Sequence, residues 1–411
     1  MNGSRQVSEK PLSVRRLVYL FGMLLLPSLI GVGAALILRG MPYASLVTLK
    51  LTVSRFAFEL ESASLRNELL RSLTVNSVAM SNVQAIAFSA HRVRLADPRL
   101  YNAKQDTYPK EAWKQIAGDQ PMVVFQAKSP PSLPFVRFLP VPPGVLTLDP
   151  IRVKPRSRVV LELPEDNHKD PQGAGSTQSP ADRNPIELKA TVELQEGTFN
   201  VAAQGPVQMR TRELGIEGSS LYSPNQPATF AVDLDHKNLD FRIVPRHGPL
   251  DLLFEPISDL GASLLPTGFL QLSRPEFLRP IPNATPLDSP DSASYTSSLL
   301  EQGTNDIVYA GLPETAVRPI SPHALLYFSD DTIFTLTALS ISRSTGAIQI
   351  ELQGRPHYIY SISKSSGRQD YQMTLLDYLM GNKPVQSVFI IGTWLATTTV
   401  AIYKFVKEIR K

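Results

Sequence analysis

Two small groups of residues have the types and spacing that catalysis would need. Ser361 and Lys364 match S-x-x-K, the spacing with which a lysine activates a serine when both lie on a helix. Residues 358–362 instead have an extended pattern, and a strand would turn the two side chains to opposite faces. No K-T-G or S-D-N partner occurs in the sequence. We therefore interpret the match as a chance occurrence.

The second group is acidic. Asp233, Asp235 and Asp240 surround His236, and on a strand Asp233 and Asp235 would share one face. Such a face could hold Ca²⁺ or Mg²⁺, but Ca²⁺ takes about 6–8 oxygen ligands and only three carboxylates are present here. The polar face of a hairpin that turns at residues 235–238 explains the same residues, so we expect no metal.

The sequence lacks the residue patterns of other common sites. It contains no cysteine, which excludes disulfides, thiolate metal sites and a cysteine nucleophile. Its six histidines form no H-E-x-x-H pair, and no phosphate-binding glycine loop is present. We therefore expect no enzymatic activity and no cofactor. The absence of cysteine also favours a bacterial periplasm over a disulfide-forming secretory route for any exterior domain.

Two uncharged apolar runs determine the organisation of the chain. Residues 17–38 and 384–403 contain no Asp, Glu, Lys or Arg. At about 1.5 Å per residue, each run can cross a hydrocarbon core of roughly 30 Å. The first run is too long for the apolar part of a cleaved signal peptide, which is its main alternative. The second could be a buried core helix, but the basic residues that follow it favour a membrane helix.

Charge then predicts the orientation of the two spans. The tails at residues 1–16 and 404–411 each carry a net charge of +3, whereas residues 40–382 carry −4. Because Lys and Arg close to a span favour the cytoplasmic face, both tails are expected inside and the bulk of the chain in the periplasm. Membrane lipids are then one partner, and nucleic acid is not expected. The residues expected at the membrane interface are Arg15, Arg16, Tyr371, Tyr378, Lys404 and Lys407.

The exterior part reads as mainly β, with sandwich-like or barrel-like packing. The chain has 35 prolines, nearly all outside the tails and spans, and they disfavour long helices. Short alternating segments are separated by turn residues. The parity of the alternation changes near Arg55, which indicates a β-bulge or a bend. A short helix is predicted at 64–72. The strands predicted after it are 74–80, 84–95, 122–127, 158–163, 187–194, 198–203, 229–234, 240–244, 332–342, 348–352 and 357–363.

A polar, proline-containing stretch at 164–185 divides the exterior part into two predicted subdomains. It contains almost no apolar residue, so it serves as a linker or, as an alternative, as a long hairpin loop inside one domain. The subdomains are then 39–163 and 186–369. Residues 370–383 form a juxtamembrane helix, read over 370–380, and a connector to the second span.

Small residues four apart predict close helix packing within the membrane. Gly31 and Ala35 lie on one face of the first span, and Gly392 and Ala396 on one face of the second. The packing partner is the other span, a second copy of the chain, or a larger membrane or envelope protein. Both tails are too short for an output domain. We therefore expect a non-enzymatic scaffold or accessory subunit of export, division or junction machinery, with a regulator of polysaccharide assembly or export as the alternative.

Overall fold

The computed structural model of the chain is built mainly from short β-strands. It describes residues 32–61, 67–102, 107–127, 133–164, 186–217, 227–233, 238–257, 270–281, 295–301, 303–310, 317–342, 346–363 and 367–381, and 392–393, 397–400, 403–404 and 407. Helical residues occur at 32–40, at Leu375–Gly381 and in the described positions from 392 to 407. Two single-turn 3₁₀ helices lie at Pro98–Leu100 and Lys110–Ala112.

The strands, in chain order, are β1 (Val47–Val53), β2 (Arg55–Leu60), β3 (Glu68–Leu70), β4 (Leu73–Ser81), β5 (Val83–Ala96), β6 (Trp113–Ala127), β7 (Phe135–Pro140), β8 (Val145–Leu148), β9 (Ile151–Arg152), β10 (Arg158–Glu162), β11 (Leu188–Val192), β12 (Phe199–Gln204), β13 (Val207–Arg212), β14 (Leu214–Ile216), β15 (Ala228–Asp233), β16 (Asn238–Pro245), β17 (Leu250–Pro256), β18 (Leu270–Glu276), β19 (Leu278–Pro280), β20 (Tyr295–Ser297), β21 (Asp306–Tyr309), β22 (Val317–Pro319), β23 (Leu325–Phe328), β24 (Ile333–Ser342), β25 (Ala347–Gly354), β26 (Ile359–Ser363) and β27 (Gly367–Asp370).

Alternation of apolar and polar residues explains why these segments are strands. In β17 and β11, every second side chain is buried and those between are partly exposed. A period of two places one set of side chains on each face of a sheet, so each strand contributes one face to the core. Eleven strands predicted from this pattern after residue 73 coincide with observed strands to within a few residues at most ends, the start of β6 excepted. The prediction of a mainly β fold between the two apolar runs is confirmed.

Antiparallel pairing joins twenty strands into one sheet. From one side, the pairings run from β6 to β5, β16, β12, β8, β4, β17, β11, β10, β2, β18, β24, β25 and β1. Near one end of the sheet, β15, β13 and β7 continue β16, β12 and β8 end to end, with β15 paired to β5 and β7 to β4. The pairings among these eight strands, β4, β7, β13, β15, β5, β16, β12 and β8, therefore form a closed circuit.

Two glycines, Gly144 and Gly205, lie close together in space at the breaks between β7 and β8 and between β12 and β13. Gly205, between β12 and β13, has a φ of +81°, which an L side chain rarely adopts. A Cβ on Gly144, just before β8, would lie 2.6 Å from the carbonyl oxygen of Pro206. The backbones of these two connections therefore lie directly against each other, which only glycine permits.

Five phenylalanine side chains from these strands and from β6 form a buried cluster. Phe241 on β16 lies 4.9 Å from Phe88 on β5 and 4.6 Å from Phe138 on β7, measured between ring centroids. Phe125 on β6 contacts Phe230 on β15 edge to face at 4.8 Å. All five are fully buried or nearly so. Because aromatic side chains bury large apolar areas, this cluster is a main source of stability for the sheet.

The structure corrects two predictions about the residues between the apolar runs. Where a helix was predicted at 64–72, Glu68–Leu70 form strand β3, which pairs with β9. Where a helix was predicted to begin at residue 370, residues 367–370 form β27 and the helix begins at Leu375. The parity change near Arg55 marks the break between β1, which pairs with β25, and β2, which pairs with β10.

The strands on either side of the stretch 164–185 belong to one sheet. Val160 on β10 pairs with Thr191 on β11, and Val153 forms a further bridge with Leu194. Residues 165–185 themselves lie outside the described residues. The division into subdomains 39–163 and 186–369 stays a prediction. Both sides fall within one unit, Leu46–Val308 with Arg318–Tyr371, and a second unit comprises the two chain ends with Tyr309–Val317.

None of the helices formed by the described residues is long and apolar enough to cross a membrane. Residues 17–31 and most of 382–396, which contain much of both predicted spans, lie outside the described residues. The two spans therefore stay predictions.

Candidate functional site: the paired chain ends

Of the residues considered for chemistry, the structure describes Ser361, Asp233 and Asp240. Ser361 lies on β26, is buried, and donates a hydrogen bond to the hydroxyl of Tyr371 at 3.3 Å. Lys364, Asp235 and His236 lie outside the described residues, while Asp233 ends β15 and Asp240 lies within β16. Across the described part of the chain, no three His, Asp or Glu side chains are grouped closely enough to hold a metal ion.

The region that the sequence singles out and the structure organises is the junction between the two chain ends. Residues 41–43 run antiparallel to residues 373–375, although more than three hundred residues separate them in sequence. Pro42 and Thr374 form an isolated β-bridge. The hydrogen bonds of this junction run from the Tyr43 N–H to the Met373 carbonyl (2.9 Å), from the Leu375 N–H to the Met41 carbonyl (2.9 Å), and from the Gln372 side-chain amide to the Tyr43 carbonyl (3.0 Å).

An aromatic pair adds to these backbone bonds. The rings of Tyr43 and Tyr378 stack with centroids 4.3 Å apart and planes inclined by 24°. Stacked aromatic pairs contribute about 0.5–1.5 kcal/mol beyond the area they bury. Tyr378, predicted at the membrane interface, is therefore half-buried against the residues that follow the first apolar run.

A capping box fixes where the helix of the junction begins. The Thr374 hydroxyl accepts a hydrogen bond from the Asp377 N–H at 3.1 Å, and the Asp377 carboxylate accepts one from the Thr374 N–H at 3.2 Å. This reciprocal arrangement satisfies two backbone donors at a helix start. The T-x-x-D spacing is visible in the sequence, so it could have placed the start of this helix at Leu375.

Large apolar side chains are exposed on the described helical residues of both apolar runs. Leu36 and Val32 in the first are 64 % and 59 % exposed, and Val400 and Tyr403 in the second are 55 % and 67 % exposed. A helix in water normally turns such residues toward a core. These side chains therefore lack a protein core within the described part of the chain.

The predicted helix-packing residues are only partly described. Ala35 lies in helical residues 32–40 and is half-exposed, and Gly392 is helical and exposed. A Cβ built on Gly392 would meet no described atom within 4 Å, so the face around it is open. Gly31 and Ala396 lie outside the described residues.

The predicted interface residues divide in a similar way. Lys404 and Lys407 are helical and exposed, whereas Arg15 and Arg16 lie outside the described residues. Tyr371 is 0 % exposed, and its hydroxyl donates to Gln369 or Pro319 at 3.1 and 3.4 Å. A side chain with no exposed surface cannot contact lipid headgroups, so Tyr371 does not belong to the interface. Tyr371 directly follows β27 and is buried against the sheet β23–β26–β27.

The other dense cluster of charge is structural in character. Strands β2, β10, β18 and β19 together carry arginines and glutamates close to one another. Burial lowers the pKa of Arg55, while the nearby Glu162 carboxylate opposes that shift. Arg55 donates to the carbonyl of Leu278. The ion pairs of the cluster are Arg279–Glu162 (3.4 Å), Arg158–Glu276 (2.5 Å) and Arg274–Glu59 (3.2 Å). Three of the four arginines each pair with a glutamate and Arg55 donates to a backbone carbonyl, so most of the charge in this cluster is balanced by contacts within the fold.

Comparison with family models, with curated proteins and with solved structures finds no match to this chain.

Proposed function

We propose that this chain is a two-pass protein of the cytoplasmic membrane whose β-rich exterior domain acts as a non-enzymatic scaffold or accessory subunit of an envelope complex. The observation that carries the proposal is the exposure of Val32, Leu36, Val400 and Tyr403 on helical residues of the two apolar runs. In lipid such side chains are in their preferred solvent, and the helix satisfies all backbone polar groups internally.

The junction supports the view that the two predicted spans lie close to each other. Met41 follows the first apolar run, which ends at Leu38, and Leu375 starts the helix that precedes the second run, which begins at Pro384. Because these two residues share a hydrogen bond of 2.9 Å, the end of the first run and the helix that precedes the second run lie close together. Two helices anchored together in this way enter the same bilayer as neighbours, with their small-residue faces available for packing.

The role of a scaffold follows from what the large sheet offers. Its inward side chains pack against each other, and the groups considered for catalysis are buried, separated or outside the described residues. What remains for function is surface: exposed strand edges outside the membrane and the open helix face at Gly392 within it. Both favour binding to another membrane or envelope protein, or to a second copy.

Single cysteines can test the topology cleanly, since the natural chain has none. Gln204→Cys places a thiol on the exposed end of β12, and Lys407→Cys places one in the C-terminal tail. In intact spheroplasts, a membrane-impermeant maleimide should label Gln204→Cys at once. It should label Lys407→Cys only after the membrane is permeabilised.

Labelling of both variants in intact spheroplasts would contradict the two-span topology, and so would labelling of Lys407→Cys alone. Release of the chain by alkaline carbonate would contradict membrane insertion itself. The scaffold role is tested separately, by crosslinking in intact cells: recovery of the chain with no crosslinked envelope protein and no second copy would contradict it.

A further inference from the structure

We propose that the exposed edge strand β27 pairs with the β27 of a second copy of this chain, so that two exterior domains share one continuous sheet. The observation behind this is the matched charge and backbone geometry of residues 367–370. The inference names a partner for the proposed scaffold and rests on that function, although the pairing itself can be measured separately from membrane topology.

Strand β27 is an edge in the small sheet β23–β26–β27. It pairs with β26 through four residue pairs, from Tyr360 with Asp370 to Ser363 with Gly367. Among the described residues, no strand pairs with the other side of β27. All four of its residues are exposed. Unpaired strand edges are templates for pairing with another chain.

The hydrogen-bond parity shows which backbone groups face outward. Tyr371 donates its N–H to the Ile359 carbonyl at 2.9 Å, so Tyr371 and every second residue before it point their backbone groups toward β26. Gln369 therefore faces β26. The N–H and C=O groups of Arg368 and Asp370 point to the open side, where they are free to bond another strand.

A two-fold axis at Gln369 makes this edge complementary to itself. In an antiparallel pair centred there, Arg368 of one copy lies opposite Asp370 of the other, and the reverse holds on the far side of the axis. These are also the residues whose backbone groups face outward, so each pair exchanges two backbone hydrogen bonds. Opposite charges directly across an antiparallel pair are stabilising, and like charges are destabilising.

Neighbouring contacts hold the two charged side chains in place for this pairing. The Arg368 guanidinium lies over the Tyr360 ring, 4.1 Å from its centroid, and donates from Nε to the Asp370 carboxylate at 3.1 Å. The Tyr360 ring in turn stacks on Tyr327 at 5.0 Å. Short, charged edges usually discourage pairing with foreign strands. Here the order of the charges permits one partner in particular, the same strand in reverse.

Cysteine crosslinking of the full chain in its membrane tests the pairing. The two Gln369 residues would form a non-hydrogen-bonded pair with Cα atoms about 4.5 Å apart, within the range of about 4.4–6.8 Å that a disulfide spans. Gln369→Cys should therefore give an oxidised dimer. Gln204→Cys, equally exposed but on a strand paired on both sides, is the matched control and should stay monomeric.

Charge reversal identifies the register. Added to Gln369→Cys, Arg368→Asp or Asp370→Arg places like charges opposite each other and should lower the dimer yield several-fold. The double exchange, Arg368→Asp with Asp370→Arg, restores both opposite pairs and should restore the yield. Equal dimer yields from all variants would overturn the proposed register.

A Gln369→Cys chain that stays monomeric would overturn the pairing, and so would its crosslinking to a different protein. Neither result affects the maleimide test of the two spans, so failure of this inference and failure of the proposed topology can be told apart.

Discussion

Apolar side chains have opposite surroundings in the large sheet and in the terminal helices. Phe138 and Phe254 in the sheet are fully buried, whereas Leu36 and Val400 in the helical ends are more than half exposed. The residue types are similar, so hydrophobicity alone does not explain the difference. The sheet supplies its own apolar surroundings by pairing and curling, while the helical ends depend on surroundings that the described chain does not supply.

The largest effect should come from removing a core ring. Phe138→Ala takes away the ring that contacts Phe241 at 4.6 Å and should destabilise the sheet by about 3–5 kcal/mol. Denaturant unfolding of the chain in detergent measures this. Leu36→Ala is the control, because loss of this exposed side chain should leave the free energy of unfolding of the sheet unchanged. Equal losses in both variants would remove the contrast between the two regions.

A glycine in each region gives a second, smaller test. A Cβ on Gly354 would lie 2.5 Å from the Phe334 ring, so Gly354→Ala should cost about 1–3 kcal/mol through overpacking. Gly392→Ala meets open space and should leave the unfolding midpoint unchanged. If Gly392→Ala were the more damaging change, the helix face at Gly392 would be packed within one chain.

The junction of the chain ends should show the smallest effect. A double-mutant cycle with Tyr43→Ala and Tyr378→Ala should give a coupling energy of about 0.5–1.5 kcal/mol, because the two rings stack. Hydrogen exchange of the Leu375 amide, which donates to Met41, reports this locally. The amide of Leu252 in the sheet should keep its protection. Zero coupling would mean that the stack does not join the ends.

Local alternation made most of the sheet predictable. Strands such as β11 and β17 have a clear period of two, and these two pair with each other although they are distant in sequence. Strand order was not predictable, because it depends on long-range register. The helix prediction for residues 64–72 was wrong because Leu65, Leu69 and Leu70 also fit the spacing of a helix. The pairing of β3 with β9, which is long-range, makes residues 68–70 a strand.

The site was predictable in outline only. The apolar runs and the basic tails indicated where the chain ends matter, and Tyr378 was placed among the interface residues. Tyr371 was misassigned because a tyrosine close to an apolar run resembles an interfacial anchor in sequence. Its burial depends on Ser361 and Gln369, which approach only after β26 and β27 pair. The outward charges of β27 required the same pairing to be seen.

The most direct test of the central claim is a fluorescence measurement of whether lipid surrounds the exposed apolar side chains of helical residues 32–40. A fluorophore on Val32→Cys, in the full chain reconstituted into vesicles, should be quenched by lipids that carry a quencher on their acyl chains. The same fluorophore on Gln204→Cys should not be quenched. Absence of quenching at Val32→Cys, with the chain bound to the vesicles, would contradict the claim that lipid surrounds this helix.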